Sequence, residues 1–479
     1  MMNSIFERKW DFIVVGAGNA ALSAANAACD RGKHVLVLEA APEGPYSGGN
    51  SRFVEVFRAA HNGEYGHGVK YTPEDYYYYM LKTNPDSDKE LVRILVDRSI
   101  DMIKWLIKHN IKFVNESIID KQYDPDMARS GFRILGGGTM LLHTLRKELT
   151  KGERGNRCRL LYNAEVIDIE IENREFKSVT VNFNGQHIKV YGDNLIIASG
   201  SFAANLDKLR QIMGDAVDVL KIRGSRYNKG IPLFVMLEKY DAMGYGDIHK
   251  FHSPAADARA LKFDAGISMR VDAIPYGIVV NKKGLRFHDE APGYWLTHYS
   301  KWGGWIIEQP GHIAFSIFDK KALGVFVPPY LPPVTASTLE DLAAELTKYG
   351  LENPKQLIET IHTFNNACPR DKAHLPYDPS ELDHISANTD PPKSNYARPI
   401  NTPPFYAYPL SPSLTFVYYS LKIDKAARVV HKSGNPFVNV YATGETMFSN
   451  ITPNSYVGGV GIAMGTTFGI IAAYEGGWP

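Results

Sequence analysis

The sequence predicts an α/β fold: a parallel-sheet unit interrupted by an inserted α+β unit, with the C-terminus returning to the first. Three observations predict it. The apolar run Phe12 to Val15 leads into a glycine turn, Gly16-Ala17-Gly18-Asn19-Ala20-Ala21. Residues 255 to 370 shift towards Trp, Pro and Gly loops. From Thr446 to Tyr474 no charged residue occurs, as expected of a segment buried in a main body.

The first element is a short apolar strand of the fully buried parallel kind. Gly16 permits the tight turn, Gly18 lets the backbone approach a pyrophosphate, and Ala21 allows close helix-on-strand packing. Ala20 to Ala28 is small and helix-forming, and Gly32 ends it. His34 to Leu38 is the second strand, and Glu39 stands about twenty residues after the glycines, placed to accept from a ribose hydroxyl. The order strand, glycine turn, helix, strand, acid is that of a Rossmann-type dinucleotide site, with the helix N-terminus facing the phosphates. It does not separate FAD from NAD.

Further along, Thr72-Pro73 is a helix start, a capping residue followed by proline at the first helical position. Glu74 to Asn110 then reads as mostly helical, with a break at Asn84-Pro85. Leu160 to Val190 carries strands with a hairpin turn at Asn184-Gly185, and Asn194 to Gly200 is another buried strand. In the insertion one helical stretch lies near Thr338 to Tyr349, and the proline-rich residues 389 to 412 read as a linker back to the main body. The division is therefore 1–254 for the first part of the nucleotide-binding unit, 255–370 for the cap, and 371–479 for its C-terminal part.

Composition excludes several classes. Lys plus Arg number 53 against 52 Asp plus Glu, a formal charge of +1, which argues against nucleic acid or an anionic membrane surface as partner. Cys29, Cys158 and Cys368 make no CxxC pair, so neither a disulfide framework nor a thiolate metal site is expected. Residues 1 to 11 lack the apolar core of a secretory signal, and a cytoplasmic location is the expectation. The uncharged tail contains a GxxxG at Gly465 and Gly469, a pattern shared with membrane helices. Pro453, Asn454 and Ser455 interrupt it, so a buried helix is expected and no membrane span. His249 and His252 form an HxxH pair with no evident third ligand, and no metal is expected.

Several separated segments point one way: Gly48-Gly49-Asn50-Ser51, Gly136-Gly137-Gly138, Ile196 to Phe202, Gly246-Asp247, His252-Ser253-Pro254, Asn281 to Glu290, Thr415-Phe416, Leu421 to Asp424, Tyr441 to Glu445, and Tyr456 to Gly461. In this order they resemble the fumarate reductase / succinate dehydrogenase flavoprotein superfamily, and the ends of the chain are similar to its tricarballylate dehydrogenase-like branch. The resemblance implies an FAD-binding domain with a mobile cap, and substrate held between them. It implies that Gly16, Gly18, Asn19, Ala20, Ala21, Glu39 and Ala40 hold the nucleotide, with Val166 beside the adenine. Gly48, Gly49, Asn50, Ser51, Gly137 and Gly138 would approach the flavin. Ala198, Gly200, Gly444, Glu445, Gly461 and Ile462 complete the cofactor set. Members with covalent FAD carry a histidine after the second strand. Asn50-Ser51-Arg52-Phe53 has none, so noncovalent FAD is expected.

The same resemblance implies hydride exchange with a carbon near a carbonyl or carboxylate, a protein group moving a proton, and donors stabilising the developing charge. His252 matches the family's substrate-contacting histidine. The reductases' arginine proton donor has no counterpart in Ala291 to Tyr299, and Thr452 and Tyr456 stand where a histidine and an arginine clamp carboxylates. A C4-dicarboxylate substrate is thereby put in doubt. Tyr456 followed by Gly458, Gly459 and Gly461 is instead similar to the ketosteroid dehydrogenase branch, where a tyrosine polarises a ketone. Candidates for proton transfer are Tyr294, His298, Tyr299, His288 and Arg270, while Arg286 is read as holding the cap.

The expected function is FAD-dependent dehydrogenation or reduction of a carbon–carbon bond alpha,beta to a carbonyl or carboxyl group of a small molecule, with a separate electron acceptor or donor. The alternatives are a ketone-specific 1,2-desaturase on the same scaffold and a flavin-binding protein without catalysis. One prediction needs only the sequence: acid precipitation releases all the yellow colour into the supernatant, and flavin left on the pellet would refute noncovalent attachment.

Overall fold

The computed structural model describes residues 2–115 and 125–479. The first sheet is built on parallel strands in the order Pro436–Ala442, Gln186–Ile197, Trp10–Val15, Val35–Leu38 and Cys158–Leu161. Trp10–Val15 and Val35–Leu38, the two strands at its centre and next to it, are buried almost throughout, which is why they read as continuous apolar runs rather than alternating ones. Ala164–Glu172 and Glu175–Phe183 extend from Gln186–Ile197 as an antiparallel meander. Its turn puts Asn184 at φ 51° and Gly185 at φ 85°, the left-handed pair that a tight hairpin needs.

Two helices pack on this sheet and on each other. Asn19–Asp30 follows the glycine turn, and Val460–Ala473 ends the uncharged tail. The second is apolar on all sides because it is buried along nearly its whole length. A Cβ added to Gly465 would sit 3.2 Å from the Ala20 Cβ, and one added to Gly469 would sit 2.8 Å from the Ala20 carbonyl oxygen. The glycine pair is thus the seat for a neighbouring helix inside the protein. Among the described residues no helix is long and apolar enough to cross a membrane.

A second sheet is centred on the long strand Phe405–Leu414. It pairs antiparallel with Ala314–Asp319, Val334–Ala336 and Ala255–Asp257, and parallel with Lys221–Ile222. Ile278–Asn281 joins beyond Ala314–Asp319. On one face lie the helices Leu339–Leu346 and Pro354–Ala367, packed through Leu342, Leu357 and Phe364 on Val280, Phe315 and Ile317. On the other, Trp295, Tyr299 and Trp302 pack with Val279, Phe318 and Tyr408.

Three sequence expectations are corrected here. Residues 405 to 412 are no linker but the spine of the second sheet, despite Pro409 and Pro412. Proline loses only its donor, and the Pro409 carbonyl still accepts from the Ala258 amide at 2.8 Å. Ile385, Ala387 and Ile400 pack into the same core, so the chain rejoins the first body after Leu414 rather than at 371. The fourteen-residue helix Pro354–Ala367 went unread, although Asn353-Pro354 is the same cap-and-proline start as Thr72-Pro73. Finally, Cys29 and Cys158 form a disulfide between the first helix and the edge strand of the parallel sheet, contrary to the expectation of none. Their spacing of 129 residues conceals a proximity that the fold creates.

The helix seat makes a stability prediction. Gly469→Ala should cost about 1–3 kcal/mol, since the added methyl meets backbone that cannot give way. Gly304→Ala, with nothing near its Cβ, should be neutral. Urea unfolding of both variants reads the difference, and equal midpoints would refute the close-packing account.

Candidate active site

A cavity of about 910 Å³ runs between the glycine turn and the second sheet. Its first half is built by the carboxyl ends of the parallel strands, where open α/β sheets bind ligands. Gly16 has φ 102°, and a Cβ there would lie 2.5 Å from the Ala198 carbonyl oxygen. Glu39 is buried at the end of the second strand, where the Ala17 and Ala41 amides donate to its carboxylate at 2.7 and 3.0 Å. Burial raises its pKa, and those amides with the nearby Arg146 charge oppose the rise. Ala40, Glu165 and Val166 line the wall beside it.

The loop Gly48–Ser51 is clamped from three sides. Ser51 Oγ accepts from the Asn19 amide at 2.9 Å, at the start of the first helix. Asn50 donates to Glu445 Oε1 at 2.9 Å and to the Thr415 carbonyl at 3.0 Å, and accepts from the Ser225 amide at 2.9 Å. Gly138 abuts the loop from behind: a Cβ there would fall 1.9 Å from the Ser51 carbonyl oxygen. Glu445 also accepts from Asn228 Nδ2 at 3.1 Å, and burial raises its pKa against the two amide donors.

The second half is a junction at the end of the strand Phe405–Leu414. The Arg223 amide donates to the Leu414 carbonyl at 2.8 Å, the Thr415 amide to the His252 carbonyl at 3.0 Å, and the Ser413 amide to the Pro254 carbonyl at 3.0 Å. Three chain segments therefore deliver Arg223, His252 and Thr415 to one place. The His252 ring is buried against Phe416, Tyr456 and Tyr299, with Nε2 at 3.2 Å from the Tyr299 hydroxyl and Nδ1 without a partner. Burial, then the Arg223 and Arg270 charges, hold its pKa well below the usual histidine range, so the ring is neutral at neutral pH.

Arg270 binds both oxygens of Asp272, at 2.6 and 2.7 Å, and its guanidinium lies 4.8 Å from the Tyr299 ring centre. Burial raises the Tyr299 pKa, while Arg270 and Arg223 pull it down. The Tyr456 hydroxyl lies against the backbone amides of Gly459 and Gly461. Burial is the main cause raising its pKa, which keeps it a phenol and hence a donor.

The predicted residues divide accordingly. Gly16, Gly18, Asn19, Ala20, Glu39 and Ala40 line the cavity, as do Gly48, Gly49, Asn50, Ser51 and Val166. So do Ala198, Gly200, Gly444, Glu445, Gly461 and Ile462. Ala21, Gly137 and Gly138 do not reach it, and Gly138 shapes the Gly48–Ser51 loop through packing. His252, Tyr456, Tyr299 and Arg270 line the second half. Tyr294 and His298 stand outside the lining. Tyr294 caps a short helix, and His298 spends Nδ1 on the Tyr294 carbonyl at 3.1 Å, its pKa lowered to about 4 by burial. His288 stacks on Trp305, and Arg286 binds Glu290 and the turn carbonyls Pro391 and Pro392. His249 is exposed, away from the buried His252. Sequence reading missed Arg223 and the Thr415 hydroxyl. Arg223 follows a two-residue strand, and only its pairing with Leu414 turns it into the site.

The cavity fits an extended dinucleotide. Its strand-end half offers a glycine cradle and a buried acid, and Ser199 Oγ and Asn228 Oδ1 remain there as buried polar atoms without partners. Fold and site together define a dinucleotide-binding redox protein. A family model described as FAD binding domain matches residues 11–221 and 273–462, and the chain belongs to that family. FAD is its cofactor.

Among relatives, the chain is 24% identical over 496 residues to NADH:fumarate oxidoreductase of Klebsiella pneumoniae (strain 342), covering 99% of this chain and 48% of that protein. It thus spans about half the length of that relative. It is 26% identical over 479 residues to the probable fumarate reductase Ifc3 of Shewanella frigidimarina (strain NCIMB 400), covering 96% of this chain and 73% of that one. The fold is that of the open conformation of a flavocytochrome c3 fumarate reductase, with TM-score 0.75 and 21% identity over 99% of this chain and 79% of that one. It is equally that of 3-ketosteroid delta1-dehydrogenase from Sterolibacterium denitrificans, with TM-score 0.73 and 18% identity over 97% of this chain and 99% of that one.

The acid at the strand end gives a retention test. Glu39→Gln turns one backbone-facing acceptor into a donor, and should cost about 1–3 kcal/mol of holoprotein stability together with much of the bound flavin. The ratio of flavin to protein absorbance after gel filtration reads it, and full retention would refute the role of Glu39.

Proposed function

We propose that the chain is an FAD-dependent oxidoreductase that adds or removes hydrogen across a carbon–carbon bond alpha,beta to a carbonyl or carboxyl group. The observation that carries it is the meeting of Arg223, His252, Arg270, Tyr299 and Tyr456 in the half of the cavity beyond the flavin loop. Bound FAD supplies the hydride chemistry: a hydride and a proton together saturate the double bond, or leave it in the reverse direction.

The chain's own groups divide the remaining work. The Tyr456 hydroxyl lies against the Gly459 and Gly461 amides and stays protonated, which leaves its O–H to donate to a carbonyl oxygen where charge develops. Tyr299 is the phenol beside two guanidiniums, and it moves the proton at the adjacent carbon. Arg270, neutralised by Asp272, orients Tyr299 rather than meeting substrate charge. The neutral His252 positions substrate through Nδ1. The aromatic packing of His252 against Phe416 and Tyr456 keeps water from this half. Electrons arrive from or leave to a separate carrier. The pairing of Tyr456 with Gly459 and Gly461 also supports the second reading, a ketone-specific desaturase.

The test is anaerobic. Oxidised protein is offered saturated acids and cyclic ketones, and dithionite-reduced protein their unsaturated partners, while the flavin band is followed. One series should change the band, and Tyr456→Phe should slow that change by about 100-fold at unaltered flavin content. Silence in both directions with every compound would overturn the reading in favour of a flavin-binding protein without catalysis.

A further inference from the structure

Resting on that reading, we propose that Arg223 anchors a single substrate carboxylate and that the rest of the substrate is apolar: a monocarboxylic 2-enoic acid with an alkyl or aryl substituent, or its saturated form.

The argument starts from charge. Arg223 is only 6% exposed, yet its guanidinium meets neutral acceptors alone: Nε donates to the Gly266 carbonyl at 3.3 Å and one terminal nitrogen to Thr415 Oγ1 at 3.0 Å. Among the described residues it has no carboxylate within ion-pair distance. The other arginines of the cavity differ, since Arg270 is held by Asp272 and Arg133 by Glu55. Burial lowers the Arg223 pKa to about 10, so the group remains a cation at neutral pH. A buried guanidinium without a counter-ion is costly, and a planar carboxylate meets its fork geometrically and electrostatically.

The position is fixed as well as charged. The Arg223 amide is tied to Leu414, and Thr415 is tied through its carbonyl to Asn50 of the flavin loop. An acid held there stands beside His252 and the cofactor loop. Among the described residues lining the cavity, the other cations are already ion-paired: Arg133 with Glu55, Lys229 with Glu165 and Arg270 with Asp272. The cavity wall includes the apolar side chains Ile267, Leu296, Val327, Pro328, Phe416 and Phe448. Burying an anion against it would cost more than the first contact returns, whereas an alkyl or aryl group gains from the same surface.

The experiment uses the holoprotein. Dithionite-reduced protein is mixed with trans-2-hexenoate, cinnamate, cinnamate methyl ester, 4-phenyl-3-buten-2-one and fumarate, and flavin reoxidation is timed. In parallel, oxidised protein is titrated with 3-phenylpropanoate and with succinate, reading the perturbed flavin band. We expect the two monocarboxylates to exceed fumarate and the ester by about 100-fold in kcat/KM, and 3-phenylpropanoate to bind more tightly than succinate. Arg223→Gln should raise KM for cinnamate by about 100-fold and leave flavin content unchanged, with partial recovery in Arg223→Lys. Fumarate matching cinnamate, the ester matching the acid, or an unmoved KM in Arg223→Gln would each overturn the proposal while leaving the oxidoreductase reading intact. Turnover of the ketone alone would overturn it in favour of the desaturase. Failure of every compound in both directions would overturn both. Should Arg223→Gln fold poorly, the wild-type series and the two titrations decide by themselves.

Discussion

Two helices in this protein touch backbone to backbone, and much else follows from that contact. Asn19–Asp30 and Val460–Ala473 approach so closely that Gly465 and Gly469 are the residues beneath Ala20. Asn19 completes the contact by donating to the Ile462 carbonyl at 3.2 Å and to Thr466 Oγ1 at 3.0 Å. Because Asn19 begins one helix and Ile462 lies in the first turn of the other, the two N-termini open on the same cavity. Each brings unpaired amides and the positive end of a helix dipole. A pyrophosphate and an electron-rich ring system are what such a pair accommodates.

The charge pattern beyond the flavin loop is the counterpart of that electropositive floor. Of the two guanidiniums there, Arg270 is paired with Asp272, and the buried Arg223 meets only neutral hydrogen-bond acceptors. The phenols of Tyr456 and Tyr299 are both pushed upward by burial, opposed at Tyr299 by Arg270 and Arg223 and at Tyr456 by the Gly461 and Gly459 amides. The difference arises from which neighbours carry charge, since the side chains are chemically identical.

Local chemistry was legible in the sequence. The run Phe12 to Val15, the turn at Gly16 and the acid at Glu39 announced the nucleotide half. Asn184-Gly185 announced a hairpin. Thr72-Pro73 announced a helix start, realised as a reciprocal cap in which Thr72 and Asp75 bond each other's amides. What failed was whatever only the assembled fold creates. Pro409 and Pro412 disguised a central strand, because a proline carbonyl pairs as well as any other. Cys29 and Cys158 meet only after the parallel sheet forms. Arg223 carries no local signature, since its importance comes from lying buried beside Thr415. The sequence reading found no arginine between Ala291 and Tyr299, and the cations came instead from Arg223 and from Arg270, which lies upstream of that window.

The junction at Leu414 has a consequence for how such a protein diversifies. The chain leaves the first body at His252–Pro254 and rejoins it at Leu414–Thr415, and these two crossings are hydrogen-bonded side by side. Neither crossing interrupts the register of the parallel sheet. The same end of the second sheet also takes in Lys221–Ile222, which pairs with Ser413 and Leu414, and the Ile222 amide donates to the Lys262 carbonyl at 2.7 Å. His252, Thr415 and Arg223 all line the cavity, so a change in the stretch between the crossings acts on the cavity wall while the parallel strands keep their register.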